Sequence, residues 1–194
     1  THRAIGATPQ NNVVSTSRMT EVTADPTNSL TLEAAVRRRQ LLQSDSRSAE
    51  VVNLAAAHRV TRAQRFEGPR SFAHFSLFGT VSAGRDGGDF GFEHGALQRQ
   101  LRVLINVLHT VSATPVELRL TAFTAAAAPA VNELAQSLSS PMVRCTLDPD
   151  RAHGRGYYRN VCFKLFAEFA DGLGEVGDGG DVWWTQELVQ NKKE

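Results

Sequence analysis

Two stretches carry side chains whose types and spacing could do chemistry. In HRVTRAQRFEGPRSFAHF, Arg59, Arg62, Arg65 and Arg70 surround a turn-rich loop. A guanidinium is a planar fork that binds carboxylate or phosphate through two parallel hydrogen bonds, and a loop between paired strands can close over a nucleotide. The same arginines suit a solvated hairpin tip, and both readings stay open. In GRGYYRNVCFKLF, glycines precede Tyr157 and Tyr158. Adjacent residues of an extended segment face opposite ways, so one ring could enter the core while the other bonds a substrate. As good strand formers, the pair would be equally at home in a plain hairpin.

The glycine clusters GRDGGDFG and GDGGD hold backbone N–H groups that could cradle phosphate. Neither has the spacing or the strand–loop–helix setting of a Walker or dinucleotide loop, so both are expected to be turns. Asp178 and Asp181 fall short of the roughly six to eight oxygens that calcium takes, and no metal is assigned. No Gly-x-Ser-x-Gly elbow or Cys–His signature gives hydrolase chemistry positive support.

These side chains need elements to position them. DPTNSLTLEAAVRRRQLLQ predicts a helix capped at Asn28 or Ser29, with Leu30, Ala34, Leu41 and Leu42 inward and Arg37, Arg38 and Arg39 on a solvated face. Residues 51–60 and 72–81 predict an antiparallel hairpin with a long loop broken by Gly68 and Pro69. On its second strand Phe75, Leu77 and Val81 share one face, and His74, Ser76 and Thr80 the other, which could line a cleft. Leu97, Leu101, Leu104, Ile105, Leu108 and Val111 form a helical stripe, with Arg99 and Arg102 off it. VELRLTAF alternates as a strand, and 129–138 returns to helical spacing. A last strand pair is expected at about 156–169 and 181–189, around the glycine-rich DGLGEVGDGG. This order predicts an α+β fold, helices packed on a mainly antiparallel sheet.

The 194 residues, 41% hydrophobic, suffice for one domain with a real core. We expect an irregular leading segment over 1–17 and a single core domain over 18–194. With 21 basic and 20 acidic residues, no overall field favours nucleic acid or an anionic membrane. Cys145 and Cys162 are too few and too far apart for a zinc site or disulfide framework, which suits a reducing, cytoplasmic setting. No apolar run reaches the roughly 18 residues of a membrane span.

Taken in chain order, four segments resemble the class II aminoacyl-tRNA synthetase catalytic core. The nearest branch is that of histidyl-tRNA synthetase and its non-catalytic relative, the regulatory subunit of ATP phosphoribosyltransferase. SRMTEVTADPTNSL resembles the Leu-Arg-Pro-Glu-x-Thr segment before a helix, with Arg18, Glu21 and Thr23 as the amino-acid-side positions and one extra residue between Arg and Glu. HRVTRAQRFEGPRSFAHF resembles motif 2, with Arg59 at the arginine that meets the α-phosphate, Arg70 and Phe72 on the ATP-binding return, and His74 in place of a glutamine. GRGYYRNVCFKLF resembles Arg-Gly-Leu-Asp-Tyr-Tyr-Thr-Gly-x-Val-Phe, with Tyr157 and Tyr158 at the paired tyrosines; GDGGDVWWTQEL resembles Gly-Gly-Arg-Tyr-Asp-x-Leu, with Gly179 and Gly180 at the glycines.

The resemblance implies ATP-dependent amino-acid activation, in which an amino acid's carboxylate attacks the α-phosphate to give an adenylate. Arg59 would be catalytic, Glu21 would hold the ammonium, and Tyr157 or Tyr158 would wall the side-chain pocket. ATP and Mg would be cofactors, tRNA or a carrier protein the acceptor, and a homodimer the assembly. Departures from the pattern support the alternative, a non-catalytic regulatory or amino-acid-binding paralogue. Thr61 stands where motif 2 has glutamate, the arginine before the tyrosines is either His153 or a shifted Arg155, and motifs 1 and 3 have no counterpart.

Overall fold

The computed structural model describes residues 10–67 and 71–194. Gly68, Pro69 and Arg70, and residues 1–9 of the leading segment, lie outside the described residues. The described chain divides into two compact units. One comprises the residues up to Arg85 together with Trp183–Glu194, and the other runs from Asp86 to Val182.

In the first unit, helix α1 (Pro26–Ser44) packs on an antiparallel ribbon of β1 (Val52–Thr61) and β2 (His74–Ala83). The helix begins one turn earlier than the sequence suggests. Asp25, not Asn28 or Ser29, is the N-cap, accepting from the Thr27 N–H at 2.9 Å, and Pro26 follows where a missing N–H costs nothing. Ala34, Val52 and Ala83 close the core here, with Leu41, Leu54 and Val81 against them.

Arg37 and Arg39 are exposed on α1 as expected, but Arg38 between them is not. Arg38 is 0% exposed. Its Nε donates to Glu194 Oε2 at 2.6 Å, and its remaining nitrogens donate to the Glu50 and Ser48 carbonyls. The spacing explains this, because Arg38 stands four residues after Ala34 and three before Leu41, on the helix's inward stripe. Arg39, the next residue, donates to the Leu188 carbonyl at 2.7 Å.

The second unit holds helix α2 (Gly91–Val111), strand β3 (Val116–Ala122), helix α3 (Ala128–Leu138), and strands β4 (Val143–Leu147), β5 (Val161–Phe169) and β6 (Gly172–Gly180). The sheet order is β4-β3-β5-β6. β4 lies parallel to β3, and the other neighbours are antiparallel. Leu97, Leu101 and Ile105 of α2 and Val131, Leu134 and Leu138 of α3 meet Leu118, Leu120, Phe163 and Leu165 in one cluster. Each fully buried leucine contributes about 2 kcal/mol. Val111, expected on the α2 stripe, is 79% exposed at the last residue of the helix.

The expected α+β arrangement of helices on a mainly antiparallel sheet is present. Its final strand pair differs from the sequence reading. The glycine-rich stretch is strand β6 itself, paired with β5 from Phe169↔Gly172 to Cys162↔Gly180, while α4 (Trp184–Val189) occupies the predicted second strand and belongs to the first unit. No helix among the described residues is long and apolar enough to cross a membrane.

Candidate functional site

The candidate residues fall on both units. In the second unit the tyrosines are not in a strand. Gly154 and Gly156, both at positive φ, fold the chain into a turn where the N–H groups of Tyr157 and Tyr158 both bond the Gly154 carbonyl, at 3.1 and 2.9 Å. The two rings therefore meet edge to face with centroids 4.9 Å apart, instead of facing opposite ways.

Glycines make room for Tyr158. A Cβ on Gly154 would stand 2.9 Å from the ring; one on Gly180 would stand 2.7 Å from it and 2.3 Å from the Val161 carbonyl oxygen. A Cβ on Gly179 would meet the Phe163 ring at 2.7 Å. Gly179 and Gly180 thus let aromatic rings close on the β6 backbone. The Tyr158 hydroxyl donates to Asp178 Oδ2 at 2.9 Å, and burial, then the Asp178 charge, pushes its phenol well above the usual tyrosine range. Beneath this pair lies Arg151, only 7% exposed, which the sequence reading did not single out. Its Nε donates to the His153 carbonyl at 2.9 Å and its Nη1 to the Phe163 carbonyl at 3.0 Å. Its Nη2 has no hydrogen bond and faces Asp178 Oδ2 at 3.8 Å.

Neither His153 nor Arg155 occupies that place. His153 is exposed, and Arg155 lies over the Phe123 ring at 4.7 Å. Asp181 is a structural carboxylate, accepting from the Asn160 and Val161 backbone N–H groups and from the Asn160 amide. Buried Cys162 is unsuited to nucleophilic work, since burial pushes its thiol up to about 11.

In the first unit, strand alternation places Arg59, Thr61, His74 and Ser76 on one face of the ribbon, with Arg59 opposite Ser76 and Thr61 opposite His74. The Thr61 N–H donates to the Thr23 carbonyl at 3.2 Å, so Thr23 comes beside the Thr61–His74 pair. Glu21 is exposed and its residue bridges Ser15, while Arg18 is an exposed residue in the left-handed region. Arg59 is exposed, and its guanidinium has no partner among the described residues. Phe72, 61% exposed, precedes β2.

Arg62 and Arg65 are occupied by the protein itself. Arg62 donates to the Ala24 carbonyl at 3.0 Å and to Asp25 Oδ2 at 3.3 Å, with its guanidinium 5.2 Å from the Phe75 ring centre. Arg65 pairs with Glu67.

Among solved structures, the chain is similar to apo S. aureus histidyl-tRNA synthetase, with a TM-score of 0.64 over 93% of this chain at 13% identity. The fold is class II synthetase-like. The chain spans about half of that synthetase, 49% of its length. No protein-family profile matches the sequence, and no curated protein matches it.

That fold gives the two ends of the resemblance a physical frame. Of the motif-2-like residues, Arg59, Thr61 and His74 stand on a strand pair, and the tyrosine turn leads into a sheet strand. A separate groove of about 450 Å³ runs between the second half of α1 and the start of β1, lined by Arg37, Leu41, Ser44, Glu50, Val52 and Asn53. None of the candidate residues lines it.

Proposed function

We propose that this chain is the amino-acid-binding core of a class II synthetase-like protein that acts by binding, as a regulatory or sensing paralogue, without forming an adenylate. The observation that carries this reading is the Thr61–His74 pair. The two positions where the resemblance expects a glutamate and a glutamine face each other across the β1–β2 ladder, and neither carries the expected group. A catalyst that works by positioning loses its rate when polar groups around the reacting atoms are replaced, whereas a binding site can be rebuilt from other contacts. Engagement of Arg62 and Arg65 within the protein points the same way, since it leaves fewer loop cations for phosphates.

Adenylation is the second reading, and one observation favours it. Arg59 is exposed on the same ribbon face without a partner among the described residues, as a guanidinium held for an α-phosphate would be. ATP and Mg would then be bound, and tRNA or a carrier protein would accept the activated amino acid. A homodimer and a cytoplasmic setting belong to either reading.

Amino-acid-dependent exchange of labelled pyrophosphate into ATP separates the two. The binding reading expects no exchange with any of the twenty amino acids; exchange that Arg59→Ala abolishes would replace it with adenylation.

A further inference from the structure

We propose that Asp178 is a specificity-determining residue, its uncommitted carboxylate oxygen taking a cationic group on the ligand's side chain. This rests on the reading above, in which the Tyr157–Tyr158 turn walls the side-chain end of an amino-acid site.

Asp178 is held from the protein side. Its Oδ2 accepts the Tyr158 hydroxyl at 2.9 Å and lies 3.8 Å from Arg151 Nη2. Both holders are fixed. The Tyr158 ring lies against Gly154 and Gly180, and Arg151 is locked by two backbone carbonyls. The Arg151 Nη2 itself is buried without a hydrogen-bond partner and is aimed at this carboxylate. An unsatisfied guanidinium nitrogen costs stability where it lies, so a fold that keeps it there gains something in return. Here it faces the inner oxygen at 3.8 Å, while Oδ1 has no hydrogen-bond partner among the described residues, on a side chain 47% exposed.

Lys164 adds no second cation to Asp178. Lys164 is its partner in the β5–β6 register, yet the Lys164 Nζ pairs with Glu175 at 2.6 Å, beyond the bulge between Leu165 and Phe166. Asp178 is therefore a pre-organised carboxylate with one oxygen committed to the protein and one not. Ammonium and guanidinium groups, with several N–H donors on one positive centre, complement that oxygen. A neutral apolar side chain of the same shape would desolvate it without compensation, and a neutral ureido group would donate to it without a charge.

The test is isothermal titration of the purified chain with matched pairs, L-lysine against L-norleucine and L-arginine against L-citrulline, on the wild type and on Asp178→Asn. The proposal expects one cationic amino acid to bind at least about tenfold more tightly than its neutral partner, and Asp178→Asn to remove that preference. Equal binding within each pair, or a preference that survives Asp178→Asn, overturns it while leaving amino-acid binding intact. If none of the twenty amino acids binds the wild type, the wider reading falls as well. The wild-type comparison needs no variant, so a misfolded Asp178→Asn leaves the proposal open to refutation.

Discussion

Arg38 and Glu194, 156 residues apart in the chain, meet at 2.6 Å with both side chains fully buried. Arg85 also approaches Glu194 at 3.9 Å. This pair fastens the segment after α4 to the middle of α1. Removing one partner leaves a buried charge without its counterion, which costs about 3–5 kcal/mol. Arg38→Met should therefore lower stability by about that much in chemical denaturation, and Arg38→Met combined with Glu194→Met should recover most of the loss.

The glycines of β6 differ sharply in what they permit. Gly180→Ala forces a methyl against the Val161 carbonyl and the Tyr158 ring, and should destabilise by about 2–3 kcal/mol. Gly177→Ala meets only Leu165 atoms at 4.0 Å and should change stability by less than about 0.5 kcal/mol. Thermal unfolding of the two variants side by side checks this contrast.

How much of this was legible in the sequence depends on what carried the information. Leu97, Leu101 and Ile105 repeat at helical spacing and landed where the period put them. Asp25, Asn28 and Ser29 are all good cap types, and the Thr27 hydrogen bond is what distinguishes Asp25. β6 was read as a turn because glycine signals turns; its strand is specified by backbone pairing with β5 and by the rings of Phe163 and Tyr158, which no local pattern reveals. Arg38 reads as solvated by residue type, although its place between Ala34 and Leu41 puts it on the inward stripe. Arg151 gave no local signal at all, since its partners are the backbone carbonyls of His153 and Phe163.

The alkaline limb of the stability curve should report Cys162 and Tyr158. Burial raises both groups in the fold, Cys162 to about 11. An acid raised by folding contributes stability that is complete below its unfolded value and lost as pH rises through the folded one. For Cys162 the loss begins near 9.0 and runs toward 11. Denaturation midpoints measured from pH 8 to 11 should fall, and Cys162→Ala should flatten part of that fall.

Two glutamates should respond to acid with opposite signs. At Glu117 burial acts upward, but the hydrogen bonds and charges of Arg119 and Arg144 outweigh it and hold the carboxyl below the usual range. Its contribution is complete above its unfolded value and is lost as pH falls through the folded one. At Glu93 burial dominates, Asp181 and Asp86 add to it, and the carboxyl is raised against the pull of its own backbone N–H and of Arg159. Its contribution is present below the ordinary value and lost as pH rises. Glu93→Gln should therefore stabilise the chain at pH 7 and lose that advantage below about pH 4. Urea denaturation at the two pH values measures both effects.

The most direct test of the central claim is a thermal-shift screen of the chain with each of the twenty amino acids, with and without ATP and Mg. Binding without activation predicts a rise in melting temperature with one amino acid alone, worth about 2.7 kcal/mol at a hundredfold excess over Kd, and unchanged by ATP. A rise that requires the amino acid and ATP together, with adenylate recovered from the mixture, would contradict it.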